Sequence, residues 1–365
     1  MATKKQITFD RDASQALKGI AICLMLLHHC FRQVKVFKEY AISCYPFSQE
    51  LVVKVADMGK ICVSLYAFIS GYGLYLNYKK NRNKVTDTKW FLVRYIKTFS
   101  GYWLIWVLSA AITQSIDGRV WEKFGSDNFW DTSLEMLIDF FGLAKLFHVP
   151  TLNGAWWYMS AAFVFLLVTP FIVKRDDHII LILLGVVVFT RLITGENGEE
   201  VFTGKNSPWA FLVPFILGMI FAKYRIIDRI ANKKGKVLRF FVEIVLVVLA
   251  YSAYREIEVT YFWELKWGII PMIIILFSVE YIIPIPGIKQ ILLFLGKHSL
   301  NIFLVHTFIR GYYMKDFVYG WKHFILIIVV LFGISLVISM ILEAGKRVTG
   351  YNKFIDKMCG KIMNA

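Results

Sequence analysis

Phe324-Ile325-Leu326-Ile327-Ile328-Val329-Val330-Leu331-Phe332-Gly333-Ile334-Ser335-Leu336-Val337-Ile338-Ser339-Met340-Ile341 decides the fold of this chain. The run carries no charge, and its length approaches the roughly 20 apolar residues that cross a bilayer core of about 30 Å. Further runs occur at 179–190, 240–250 and 267–279. Across 365 residues the chain is 57% hydrophobic and 19% charged, where a soluble globular chain has about 45–50% and about 25%. No soluble fold needs so many apolar runs, so the sequence specifies an all-α, polytopic integral membrane protein.

Working outward from that run, ten spans are expected, at 13–31, 56–77, 93–114, 152–173, 178–194, 209–224, 238–254, 265–283, 299–314 and 323–344. The fifth and ninth are short, so either is a candidate for a re-entrant segment. The rest reads as one membrane-embedded domain over 1–365, with a basic tail at 345–365. No internal repeat or low-complexity segment stands out. Residues 1–12 are polar and charged, so the first span, and no cleavable signal peptide, is expected to direct insertion.

Net charge is +16. In a soluble protein that balance points to nucleic acid; here basic residues gathered in retained loops explain it better. Lys79, Lys80, Arg82, Lys84 and Lys89 follow span 2. Arg225, Arg229, Lys233, Lys234 and Lys236 follow span 6, and Lys346, Arg347, Lys353, Lys357 and Lys361 follow span 10. The alternate connections are acidic: Asp117, Glu122, Asp127, Asp131, Glu135 and Asp139 in 115–150, and Glu196, Glu199 and Glu200 in 195–207. The positive-inside rule then puts both termini in the cytoplasm. The five cysteines form no CxxC pair and no disulfide framework.

Ionisable residues inside spans are costly and mark function by default. Lys18 and His29 lie eleven positions apart on span 1, almost three helical turns, so they share a face about 16 Å apart along the axis. His28 points about 100° away. A snorkelling anchor explains Lys18 alone, and interhelical packing explains a lone intramembrane histidine. Together they read as a cation for an anionic ligand at the inner mouth and a base further in. Arg94 and Lys97 share a face at the start of span 3, fit for anchoring or for phosphate. Ser70-Gly71-Tyr72-Gly73 follows no strand, so it is no nucleotide loop; close helix approach accounts for it. Trp156-Trp157-Tyr158 opens span 4 as an interfacial belt or an acceptor platform, and His306 is the second intramembrane histidine. Arg191 and Arg310 are expected to snorkel from outer helix ends. The scattered histidines and the absence of HExxH argue for no metal site.

These stretches resemble the acyltransferase 3 family of membrane acyl-CoA-dependent transferases. Lys18 and His29 fit its basic-x10-His first helix, and Ser70-Gly71-Tyr72 its Ser-Gly-aromatic step. Arg94-Tyr95-Ile96-Lys97 leading into Trp103 is similar to its third-helix basic run. Trp156-Trp157-Tyr158-Met159 resembles its fourth-helix motif, and Gly296-x-x-Ser299 through Phe303-Leu304-Val305-His306 its ninth-helix signature. The likeness covers roughly 14–344. Two positions depart from the pattern: Lys18 stands where arginine is common, and Lys97 is the second basic position. Both keep charge and lose the bidentate fork. The soluble esterase-like domain of some members is not part of the likeness, so transfer is completed by this chain or passed to a separate protein.

The resemblance implies an O-acyltransferase in the cell membrane, with acyl-CoA, acetyl-CoA foremost, as donor and no metal. Arg94, Lys97 and Lys18 would hold the donor phosphates. His29 would be general base or transient acyl carrier, with His306 in support. Trp156, Trp157, Tyr158, Ser70 and Tyr72 would shape a site for the acceptor, a hydroxyl of a cell-surface glycan sugar. Partners are then the lipid bilayer, acyl-CoA and the glycan, with no nucleic acid, and a homodimer is left open. The rivals are a transporter or flippase with Lys18, His29 and His306 lining a path, and a sensor or scaffold without chemistry.

Overall fold

The computed structural model describes residues 7–125, 128–193, 207–256 and 263–364. Among the described residues, principal helices overlap the expected spans: α1 Arg11–Phe31, α2 Cys62–Asn81, α3 Asp87–Asp117, α4 Trp157–Lys174 and α5 Ile179–Ile193. They continue with α6 Leu212–Tyr224, α7 Lys236–Glu256, α8 Leu265–Ile282, α9 Ile288–Thr307 and α10 Phe324–Val348. No strand occurs among the described residues; a lone bridge joins Ser43 to His323. The expected acidic connection lies at 195–206 outside the described residues, as do Asp127, residue 194 of the fifth span and the side chain of Arg191.

By length and composition seven of the described helices can cross a membrane: α1, α3, α4, α7, α8, α9 and α10. Helices α5 and α6 are short, and α2 carries Ser64, Ser70, Asn77 and several tyrosines. The interior position of α2 explains that polarity. Only 17% of the apolar window of α7 and 22% of that of α10 is buried, against 61% for α9. Rows such as Leu238, Phe241, Val245 and Leu249 on α7 are exposed; apolar surface on that scale is tolerated in hydrocarbon and not in water. The outer helices thus meet lipid, and the polar side chains collect inside.

Helix α1 is the central element. The Asp10 carboxylate caps it by accepting from Ala13 N at 2.8 Å. It packs most heavily on α9, and small residues allow the approach. A Cβ on Gly296 would lie 1.9 Å from the Gln15 carbonyl oxygen, and one on Gly19 would lie 2.3 Å from that of Leu292. Further along the same two helices, the His29 and His306 rings meet at 4.8 Å, so α1 and α9 run parallel. The chain from Ala56 through α2 runs antiparallel to α1, from His28 Nδ1 against the Ala56 oxygen at 2.9 Å to Phe9 against Tyr72 at 4.6 Å. Gly71 supplies the expected close approach: its Cβ would sit 1.9 Å from the Phe215 oxygen of α6.

Ion pairs tie the helix ends together where the basic loops lie. Asp176 takes Lys79 at 2.8 Å and the Tyr75 hydroxyl at 2.7 Å, and Asp87 takes Lys174 at 2.5 Å and Tyr78 at 2.7 Å. The tail beyond α10 is a helix, α11 Tyr351–Asn364. It lies along α3, with the Tyr351 hydroxyl donating to Ser100 O at 2.9 Å and Asp356 pairing with Lys97 at 3.4 Å.

Candidate functional site

A cavity of about 490 Å³ runs through the bundle between α1, α2, α3, α4 and α9. Its wall includes Lys18 and His29, so the eleven-residue spacing does place both on one face turned toward a common space. Lys18 is partly buried and feels the charges of Arg11 and Arg94. Ser70, Lys97, Trp157 and Tyr158 also reach the wall. The Tyr158 hydroxyl is buried and turned toward Ser70 without a hydrogen bond among the described residues. Tyr66 faces the same space and donates to Lys18 O at 3.4 Å.

The other predicted residues lie off this wall. Arg94 is half-buried, and its Nε finds no acceptor among the described residues. Tyr72 meets Phe9 edge to face. Trp156 is buried, and its indole N–H donates to Leu304 O at 3.0 Å, joined there by Asn153 Nδ2 at 3.3 Å. Beyond α9 the helix widens into π-type turns over Phe308–Tyr313, and Phe308 N bonds Val305 O. Regular α-winding would have sent it to Leu304 O. Trp156 therefore fastens α4 to α9, and Trp157 and Tyr158 face the cavity in its place.

His306 is fully buried behind His29. Its Nδ1 lies 2.8 Å from Phe303 O and its Nε2 lies 3.2 Å from Thr307 Oγ1. A carbonyl only accepts, so Nδ1 carries the proton and Nε2 accepts from the threonine hydroxyl. Both nitrogens of His306 are occupied. His29 differs: it lines the cavity, and no hydrogen bond engages its ring among the described residues.

A second cavity of about 330 Å³ adjoins the first, and His29, Thr307, Arg310 and Tyr312 line both. Its remaining wall comes from Gln33, Lys35, Val36, Glu39, Lys315 and Tyr319. Lys315 pairs with Glu39 at 2.6 Å, and the Tyr40 hydroxyl reaches Asp316 at 2.5 Å, so segments 35–40 and 315–319 form one braced rim. The Glu39 bond holds the Lys315 ammonium above the ordinary lysine range, against a smaller opposing effect of burial.

Two sequence expectations change here. Arg310 does not snorkel outward; it lies on the helical face of Ser299 and Phe303 and lines both cavities. Asp139, grouped with the acidic outer connection, is 1% exposed. Its Oδ2 accepts from Trp106 Nε1 at 2.9 Å and Leu152 N at 3.0 Å. Burial pushes its carboxyl above the usual carboxylate range, and those donors oppose the rise. It braces a connection and lines neither of these two cavities. Tyr66, Arg32 and Lys60, also on the first wall, carried no signal in the sequence, because each depends on which helix lies opposite. Among the described residues no three His, Cys, Asp or Glu side chains converge as metal ligands.

The arrangement is a helical membrane bundle whose interior places cations and one uncommitted imidazole along adjoining chambers. The model of the acyltransferase 3 family, an acyltransferase domain, matches residues 11–344. The chain belongs to that family and is a multi-pass membrane acyltransferase. Comparison with the curated proteins and with the solved structures returned no match.

Proposed function

We propose that the chain moves an acyl group, acetyl foremost, from acyl-CoA to a hydroxyl of an extracytoplasmic acceptor. The observation that carries this is the meeting of two chambers at His29. The larger chamber begins among Lys18 and Lys97, with Arg94 nearby, at the end of the bundle where the basic loops gather. By the positive-inside rule that end is cytoplasmic, together with both termini. Ammonium and guanidinium groups there suit the donor's phosphates. The rise of about 16 Å from Lys18 to His29 suits an extended pantetheine arm.

The smaller chamber, with Gln33, Glu39, Lys35 and Tyr312, suits a polar acceptor such as a sugar of a cell-surface glycan in the cell membrane's outer face. His29 takes the hydroxyl proton as the oxygen attacks the thioester carbon. The tetrahedral adduct then expels the thiolate, which receives that proton. Trp157 and Tyr158 flank the donor's acyl end, and His306 fixes the ring beside it. All of this belongs to one domain spanning the chain.

The test uses purified protein in lipid nanodiscs with acetyl-CoA, following thiol release, alongside mass spectrometry of surface glycans with and without the gene. His29→Ala is expected to lower thiol release about 10²–10⁴-fold, the usual contribution of a general base. A folded variant working at the parent rate refutes the mechanism. A transporter lined by the same residues would release no thiol from acetyl-CoA at all.

A further inference from the structure

From the position of Arg310 we infer that it is a further catalytic residue, whose guanidinium holds the thioester oxygen as it becomes an oxyanion. This rests on the transferase reading above. Arg310 lies in the π-type turns just beyond His306 and lines both chambers where they meet at His29. Its Nη1 donates to the Tyr319 hydroxyl at 3.3 Å, and Tyr319 donates in turn to Cys30 O at 3.3 Å, the residue after His29. Its Nε is buried without an acceptor, and no carboxylate pairs with it among the described residues.

A guanidinium offers five N–H donors. One of them anchors Arg310 to Tyr319, the Nε–H is buried without an acceptor among the described residues, and the guanidinium lines both chambers. A cation inside a bundle without a counter-ion is costly unless an anion arrives there. The reacting carbonyl must stand where donor and acceptor chambers adjoin, so the anion that forms there is the tetrahedral oxyanion. The acceptor oxygen bonds to the carbonyl carbon and gives its proton to His29. The carbonyl π-pair moves onto oxygen opposite Arg310. As that pair returns, the C–S bond breaks and the thiolate takes the proton from His29. The Tyr319 bond fixes the fork before substrate arrives, which is what makes such a donor effective.

Thiol release from acetyl-CoA by protein in nanodiscs, with water in the acceptor's place, tests the assignment. Arg310→Gln is expected to lower kcat about 10²–10³-fold, the usual loss of one oxyanion donor, with acetyl-CoA binding unchanged within about twofold. Arg310→Lys keeps the charge without the fork and should fall between. Tyr319→Phe frees the fork and keeps the guanidinium, so its rate should fall between that of the parent and that of Arg310→Gln. A second readout needs no turnover. Carboxymethyl-CoA, which carries an anion near the oxyanion position, should bind the parent about tenfold more tightly than S-ethyl-CoA, and Arg310→Lys should weaken that preference. An active parent whose Arg310→Gln and Arg310→Lys variants keep its rate overturns the role of Arg310 alone. So does Tyr319→Phe matching the loss in Arg310→Gln. A parent that releases no thiol overturns the transferase reading and this one with it.

Discussion

Replacing Gly296 by alanine tests the architecture of the site at one atom. The added Cβ would lie 1.9 Å from the Gln15 carbonyl oxygen, where ordinary contact begins at 3.4 Å. Backbone oxygen cannot rotate away, so α1 and α9 must part by about 1.5 Å. Alanine returns up to about 1 kcal/mol of helix propensity, and overpacking a tight contact costs about 1–3 kcal/mol. The net is a loss of up to about 2 kcal/mol, a fall of roughly 4–8 °C in Tm at about 2–4 °C per kcal/mol. The same movement shifts His29 against His306, and misplacement by about 1 Å costs on the order of 10²-fold in rate. Gly333→Ala is the control, because nothing lies within 4 Å of its added methyl. There only the propensity gain acts, and Tm should rise slightly with activity unchanged. The assay pairs thermal unfolding in nanodiscs with thiol release. Gly296→Ala as stable and as active as Gly333→Ala would refute the close-packed α1–α9 seam.

Lys18→Met should raise the KM for acetyl-CoA at least tenfold, the worth of one charge-assisted hydrogen bond of about 1.5–3 kcal/mol, with kcat within about threefold. A fall in kcat at constant KM would remove Lys18 from donor binding. Asp176→Asn reports on pH. Burial alone would raise the Asp176 carboxyl, but Lys79 and Tyr75, with Lys223 behind them, outweigh it and hold it below its ordinary range. A lowered carboxyl contributes stability above the unfolded value near 3.9, and that contribution is lost as pH falls through the folded value. The parent's Tm should therefore drop on acidification below about pH 4. Asp176→Asn should start lower at pH 7 and respond less to acid; equal slopes in the two proteins would remove Asp176 as the cause.

The helices were legible because hydrocarbon demands apolar runs of a set length, and 238–254 against the observed Lys236–Glu256 shows how closely. At the start of span 2, expected at 56, the winding tightens through a 3-10 turn at Gly59–Ile61 that joins the helix Gln49–Met58 to α2. The start of α9 was missed because Lys289, Gln290 and Lys297 hide its first turns from any apolar count. Lys18 and His29 were readable as a pair because helical phase is a property of one segment. Arg310 was read instead by its place near a helix end, although it shares helical phase with Phe303 and His306, seven and four residues before it. Trp156 and Trp157 are neighbours in sequence with opposite fates, one fastening helices and one facing the cavity. Only the position of the Leu304 carbonyl separates them.

The parallel pairing of α1 with α9 has a consequence for how the protein is made. Helix α1 is made well before α9, and its partner arrives only after the intervening helices α2 to α8 have been threaded. Until then Gly19 and Gln15 have no Leu292 and Gly296 to meet, and His29 has neither His306 beside it nor the second wall of its chambers. Long-range pairing of this kind forms late, after the intervening chain is placed. A stalled or truncated chain ending before residue 288 would sit in the bilayer with its basic inner residues in place and no enclosed space at His29. On the proposed mechanism the centre at His29 is thus assembled only when α9 joins α1, and copies lacking α9 cannot spend acyl donor on water.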